Sequence, residues 1–302
     1  MSSLVAATVL KNTGSERMEY WQVISWCETD HIVEVAQHAE KLGFTGLILA
    51  EHIYYPQETT SRYYYSEDGE SVQNPEMEFP DPLISFAAAA AVTETLQFMT
   101  GIYVVPLRHP IELAKNLATL ARLSGNRVHL GLGTGWLKEE FDQFGVDFST
   151  RGARTDAMLK IMRRLWSGEA VSYEDAHFQL DKVQIRPLPE HPVPLVGGGH
   201  SAPALRRAVN LCDGWYGPGN TLAELESIVP ELYAMRAGSP RAAEPFRVIA
   251  PLLEPLDERV LSRLEAIGVH ATVNYPFLYG CGPGASLDDK KRYMDQFAAQ
   301  FL

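Results

Sequence analysis

Two hydrophobic rhythms alternate along this chain. Short continuous apolar runs of strand length are followed by longer segments whose apolar positions recur every three or four residues. Residues 5–10 form the first apolar run. Residues 30–42 carry helical spacing, with Asp30 as the expected N-cap and Gly43 as the stop. Residues 46–50 (Gly-Leu-Ile-Leu-Ala) read as a buried strand, and a long polar loop follows. Asp81 and Pro82 open a helix expected to reach Glu94, since proline fits the first helical turn. Residues 96–105 and 127–132 read as strands around a helix over 110–123, and another helix is expected over 154–166. The rhythm then resumes. Strands are expected at 193–196, 214–216, 246–250 and 271–275, and helices at 202–211, 222–236, 258–267 and 287–301.

About eight β-α units in series predict an α/β fold, a (β/α)8 TIM barrel with insertion segments. Near-continuous apolar strands suit a parallel sheet covered on both faces. Residues 1–302 contain no evident linker and are expected to form one TIM-barrel domain. Two segments break the rhythm. Residues 53–79, rich in tyrosine, proline and acid, leave the carboxyl end of a strand and read as a substrate lid. Residues 167–192 read as an excursion, with a hairpin at 171–180.

Composition narrows the partners. A net charge of −12 disfavours nucleic acid and anionic membranes. No run approaches the ~18 apolar residues of a membrane span. Cys27, Cys212 and Cys281 are sparse, odd in number and unpaired by motif, which fits a reducing cytoplasm. No H-x-H or H-E-x-x-H pair points to a metal, and no G-x-S-x-G elbow points to a serine hydrolase.

The chemistry concentrates at strand ends. Glu51-His52 directly follows the apolar strand, where barrel enzymes keep catalytic groups, and histidine can give or take a proton near neutral pH. The plainer reading of His52 is a hydrogen-bonded structural residue. Arg108-His109 follows another strand, and His109 can simply cap the helix begun by Pro110. Gly131, Gly133 and Gly135 end a strand at a cofactor-sized gap, but their spacing is not the G-x-G-x-x-G of a dinucleotide turn. Gly197, Gly198, Gly199, His200 and Ser201 precede a helix and suit a phosphate cradle, the alternative being a plain tight turn. Arg108, Arg206 and Arg207 place positive charge near these glycines for a polyanionic tail. Tyr54, Tyr55, Tyr63, Tyr64 and Tyr65 either line a pocket or seal the barrel top.

In series, Ala39-Glu-Lys-Leu-Gly-Phe44, Ala50-Glu-His52, Pro106-Leu-Arg-His-Pro110, Leu120-Ala-Arg-Leu-Ser-Gly-Asn-Arg127, Gly131-Leu-Gly-Thr-Gly-Trp136, Val196-Gly-Gly-Gly-His200 and Asp213-Gly-Trp215 resemble the bacterial luciferase-like superfamily. Within it the chain is most similar to the oxidoreductases that use the deazaflavin coenzyme F420. The resemblance spans roughly residues 35–217. It implies His52, beside Glu51, as proton donor or substrate-binding group. It implies a cofactor site of Gly101, Ile102, Gly133, Thr134, Gly135, Trp136 and residues 197–201, with a non-proline cis bond at Gly101–Ile102 behind the cofactor ring. Tyr63, Tyr64, Tyr65 and Trp215 would face the substrate. The glucose-6-phosphate dehydrogenase branch carries a glutamate where this chain has Trp136, so a more apolar substrate is expected. The alternatives are a monooxygenase using flavin mononucleotide (FMN) supplied by a partner reductase, and a cofactor-binding barrel without catalysis. A homodimer is the expected assembly.

Overall fold

The computed structural model describes residues 17–64, 66 and 68–302. Eleven strands occur among them: β1 Glu19–Val23, β2 Gly46–Leu49, β3 Gln97–Thr100, β4 Tyr103–Val104, β5 Val128–Gly133, β6 Val171–Glu174, β7 Gln179–Val183, β8 Leu195–Gly198, β9 Gly214–Tyr216, β10 Arg247–Ile249 and β11 Ala271–Asn274. Parallel pairing runs β3-β2-β1-β11-β10-β9-β8-β5-β4, and β3 also pairs with β5, which closes the sheet. Because β3 and β4 are two pieces of one interrupted position, this is a closed eight-stranded α/β barrel of the luciferase-like kind. The apolar run at 5–10 lies outside the described residues, and the first barrel strand is β1. Its alternation was hidden because all but its first residue are buried.

The helices are α1 Ile32–Leu42, α2 Pro82–Ala90, α3 Pro110–Ser124, α4 Lys138–Gln143, α5 Arg151–Trp166, α6 Ala202–Leu211, α7 Leu222–Ala237, α8 Glu258–Ala266, α9 Phe277–Gly280 and α10 Leu287–Phe301. Asp81 caps α2 as expected, accepting from the amides of Leu83 and Ile84 at 2.9 and 3.0 Å. Asp30 does not cap α1. A 3-10 turn over Thr29–His31 precedes the helix and puts Asp30 inside it. β6 and β7 form the antiparallel excursion hairpin.

Side chains on successive strand residues take opposite sides. Ile48, Met99, Val196, Tyr216 and Ile249 point into the barrel. Their neighbours Leu47, Leu49, Phe98, Leu195, Trp215 and Val248 pack outward beneath the helices. The same period explains the glycines of β5. Gly131 and Gly133 belong to the strand itself, and both fall on its inner face. A Cβ on Gly131 would meet the Thr100 carbonyl oxygen at 1.8 Å, and one on Gly133 would meet Ile102 Cδ1 at 2.5 Å. The neighbouring strand position, β3 and the residues just after it, therefore approaches more closely than a side chain permits.

A cavity of about 270 Å³ opens at the amino end of the barrel, lined by Trp21, Gln97, His129, Val196 and Ile249 among others. Burial holds His129 down at about 4. This cavity lies at the opposite end from the strand carboxyl termini. No helix among the described residues is long and apolar enough to cross a membrane.

Gly131→Ala is expected to destabilise by roughly 3 kcal/mol, the upper range for overpacking, because its obstacle is backbone. Gly125 has a φ of 66° and nothing within 4 Å of an added Cβ, so Gly125→Ala should cost only about 1–2 kcal/mol. Denaturant midpoints of the two variants check the ranking.

Candidate active site

His52 leaves the carboxyl end of β2 and is 7% exposed. Its Nδ1 lies 2.9 Å from Oε2 of Glu140, a residue of α4 with no solvent exposure. The other oxygen of Glu140 accepts the Ile53 amide at 2.8 Å. A carboxylate only accepts, so Nδ1 carries the proton in this pair. Three aromatic rings stand at right angles to the imidazole: Tyr55, Phe79 and Trp136, with centroids 5.7, 5.4 and 5.9 Å away. Tyr63 packs in turn on Trp136, at 5.0 Å. The result is an apolar box around one titratable ring.

Glu51 points elsewhere. Its two oxygens take both arms of the Arg108 guanidinium at 2.8 and 2.6 Å, and Oε1 also accepts the Val104 amide at 2.8 Å. Burial pushes this carboxyl up to about 7, against the pull of Arg108 and the amide. Because the pair ties β2 to β4, it fixes the chain just past the interruption in the third barrel strand. There the Gly101–Ile102 peptide is cis, at the position the family resemblance implies. The Ile102 side chain occupies the space that Cβ atoms on Gly133 and Gly198 would fill, with contacts of 2.5 and 2.7 Å.

The remaining expected site residues divide. Gly133, Thr134, Gly135 and Trp136 lead from β5 toward α4, and Gly135 turns with a φ of 80°. Gly198 faces the lumen, whereas Gly197 faces α6, where its Cβ would meet Ala208 at 3.0 Å. Gly199 makes the turn with a φ of 97°, His200 and Ser201 are exposed, and the Ser201 hydroxyl caps α6. Trp215 does not face a substrate. It is fully buried in the outer layer, donating its indole N–H to the Gly199 carbonyl at 2.7 Å, and Tyr216 takes the lumen position. A strand's period of two exchanges the faces of neighbours, which composition alone does not resolve. Tyr64 is 62% exposed and points to solvent, and Tyr65 lies outside the described residues. Two of the three arginines expected at a polyanionic tail are already engaged, Arg108 by Glu51 and Arg207 by Asp156; Arg206 is exposed.

The segment 53–79 is fastened at both ends. Glu139 of α4 accepts from the Thr60 amide at 2.7 Å and hydroxyl at 2.9 Å, and from the Ser61 amide at 3.1 Å and hydroxyl at 2.6 Å. At the far end Glu78 accepts the amide and hydroxyl of Thr29, the former at 2.8 Å.

Residues 9–273 match the family model described as luciferase-like monooxygenase. The chain belongs to this family. An uncharacterised protein of Mycobacterium tuberculosis is 32% identical over 272 residues, 89% of this chain and 94% of that one. An F420-dependent hydroxymycolic acid dehydrogenase of the same organism is 30% identical over 191 residues, 62% of this chain and 48% of that one. Among solved structures, a monooxygenase from Streptomyces bottropensis superposes with a TM-score of 0.69 at 19% identity, covering 94% of this chain and 98% of that one. At that identity the likeness concerns the fold. Family membership makes the chain a luciferase-like oxidoreductase or monooxygenase.

Glu139 and Glu140 were missed in the sequence. Their signal was present, an acidic pair in the first turn of a short helix just beyond a barrel strand's carboxyl end. Tyr55 and Phe79 sit at opposite ends of a long loop, and only its folding brings them to the same ring.

Partial burial pulls Glu139 upward, but the bonds from Ser61 and Thr60 prevail and hold it at about 2, below its ordinary 4.5. A depressed carboxyl stabilises its contacts above 4.5 and loses that contribution as pH falls toward 2. Hydrogen exchange, corrected for intrinsic rates, should therefore show Thr60 and Ser61 losing protection across that window. In Glu139→Gln the loss should already be present at neutral pH.

Proposed function

We propose that this chain is an F420-dependent oxidoreductase that moves a hydride between deazaflavin and a small organic substrate, apolar or aromatic in character. The observation that carries the reading is the aromatic box around a single buried proton-handling group, His52, beside the glycine-framed Ile102. The 30% identity to an F420-dependent dehydrogenase supports the choice of deazaflavin.

The residues present fit such a cofactor. Ile102, backed by Gly133 and Gly198, offers an apolar support at the strand carboxyl ends. Gly199, His200 and Ser201 sit at the amino end of α6, whose free N–H groups and dipole favour a phosphate. When bound, deazaflavin supplies a two-electron hydride donor or acceptor. The protein contributes the rest. His52 gives or takes the substrate's proton at Nε2, because Nδ1 is held by Glu140. Tyr55, Phe79 and Trp136 keep water from that nitrogen and present ring edges and faces to an apolar substrate. Glu51 acts at one remove, holding the strand that carries Ile102 through Val104 and Arg108.

Fluorescence titration with F420 and FMN side by side tests the cofactor. Micromolar or tighter binding of F420 and weaker binding of FMN are expected; the reverse order would make the chain an FMN-dependent monooxygenase fed by a reductase. His52→Ala should lower kcat by roughly 10²-fold or more in a protein that still folds. Unchanged turnover would return His52 to a structural role.

A further inference from the structure

The Glu140 carboxylate touches two groups of different kinds. Oε2 meets Nδ1 of His52 and Oε1 meets the backbone N–H of Ile53, the first residue of the lid segment. Both side chains are buried, His52 at 7% exposure and Glu140 at none, while Ile53 stands at the rim. The backbone N–H is a donor in every state of the protein, so it always requires an acceptor. The imidazole is the adaptable member, because either ring nitrogen can hold the proton of the neutral form. A carboxylate satisfies both neighbours only when the proton sits on Nδ1. That leaves Nε2, which has no hydrogen bond to any described residue, with its lone pair available.

We propose that Glu140 is the positioning residue of this site: it sets the tautomer of His52, directs Nε2 to the chemistry, and ties that choice to the seating of the lid's first residue. The proposal rests on the reading of His52 as the proton-handling group. Lid and histidine share one carboxylate. Displacing Ile53 frees an oxygen and a rotation for Glu140, so the ring is held in its working state only when the lid's first residue is in place. The adjacent glutamates of α4 thus divide the work, Glu139 on Thr60 and Ser61 and Glu140 on Ile53 and His52.

Glu140→Gln discriminates sharply because an amide has one oxygen and one NH₂. Its oxygen must turn to Ile53, since an NH₂ facing that N–H would set donor against donor in a buried site. The NH₂ then faces Nδ1, which becomes an acceptor, and the ring proton moves to Nε2. Glu140→Asp keeps an acceptor on both sides.

The experiment is ¹⁵N NMR of the histidine side chains in the cofactor-free protein at about pH 9, where imidazoles are neutral. The His52 signal is assigned by its loss in His52→Ala. The wild-type ring should be protonated on Nδ1 and bare on Nε2. Glu140→Gln should reverse the pattern, and Glu140→Asp should restore it. In turnover, Glu140→Gln should lower kcat by roughly 10²-fold or more with KM changed less than about threefold, the signature of a wrong tautomer. Glu140→Asp should recover part of that loss. A wild-type ring protonated on Nε2 would overturn the proposal, as would a glutamine variant that keeps both the wild-type pattern and the rate. If the glutamine variant does not fold, the wild-type and aspartate spectra decide. A correct tautomer pattern in a protein that turns over nothing with F420 would overturn the deazaflavin reading and still support the positioning role.

Discussion

The Ile102 side chain stands where Cβ atoms on Gly133 and Gly198 would be, and the carboxyl end of the barrel is organised around that contact. Three strands must approach closely enough for one branched side chain to fill the space between them. Glycine on the inner faces of β5 and β8 is the only residue that permits it. β3 and β4 are separated by Gly101 and Ile102, so the barrel wall is interrupted where Ile102 makes the contact. A fixed apolar knob at the barrel mouth is the outcome, set among strand ends that carry the polar groups of the site.

Two neighbouring ionisable residues meet different fates because a chain leaving a strand sends successive side chains apart. Glu51 turns into the wall and joins β2 to β4 through Val104 and Arg108. His52 turns toward the lid and meets Glu140. Each buried charge is matched by a partner in hydrogen-bond contact, which is the condition for tolerating it away from water. The site therefore uses carboxylates chiefly as braces, and the imidazole keeps Nε2 outside the hydrogen bonds among the described residues.

The lid follows the same economy. It brings Tyr55 and Phe79 against the imidazole and is held by two acids, Glu139 of α4 on Thr60 and its own Glu78 on Thr29. Those fastenings lie at an exposed or half-exposed rim, whereas Glu51, His52 and Glu140 behind them are buried.

The sequence by itself determined the succession of β-α units, the caps at Asp81 and Gly43, the excursion hairpin, and the strand end at which His52 sits. These are local matters of period, capping and φ, and each is written in contiguous residues. The alternate glycines of β5 read in sequence as a cofactor-sized gap at a strand end, whereas Thr100 and Ile102 crowd two of them. Only the tertiary structure decided that Ile102 fills their space, that Trp215 faces outward and Tyr216 inward, and that Glu140 reaches His52 across 88 positions of chain. The face of a three-residue strand depends on a register that its own side chains do not specify. A contact across so many residues depends on closing the barrel, which no local pattern encodes.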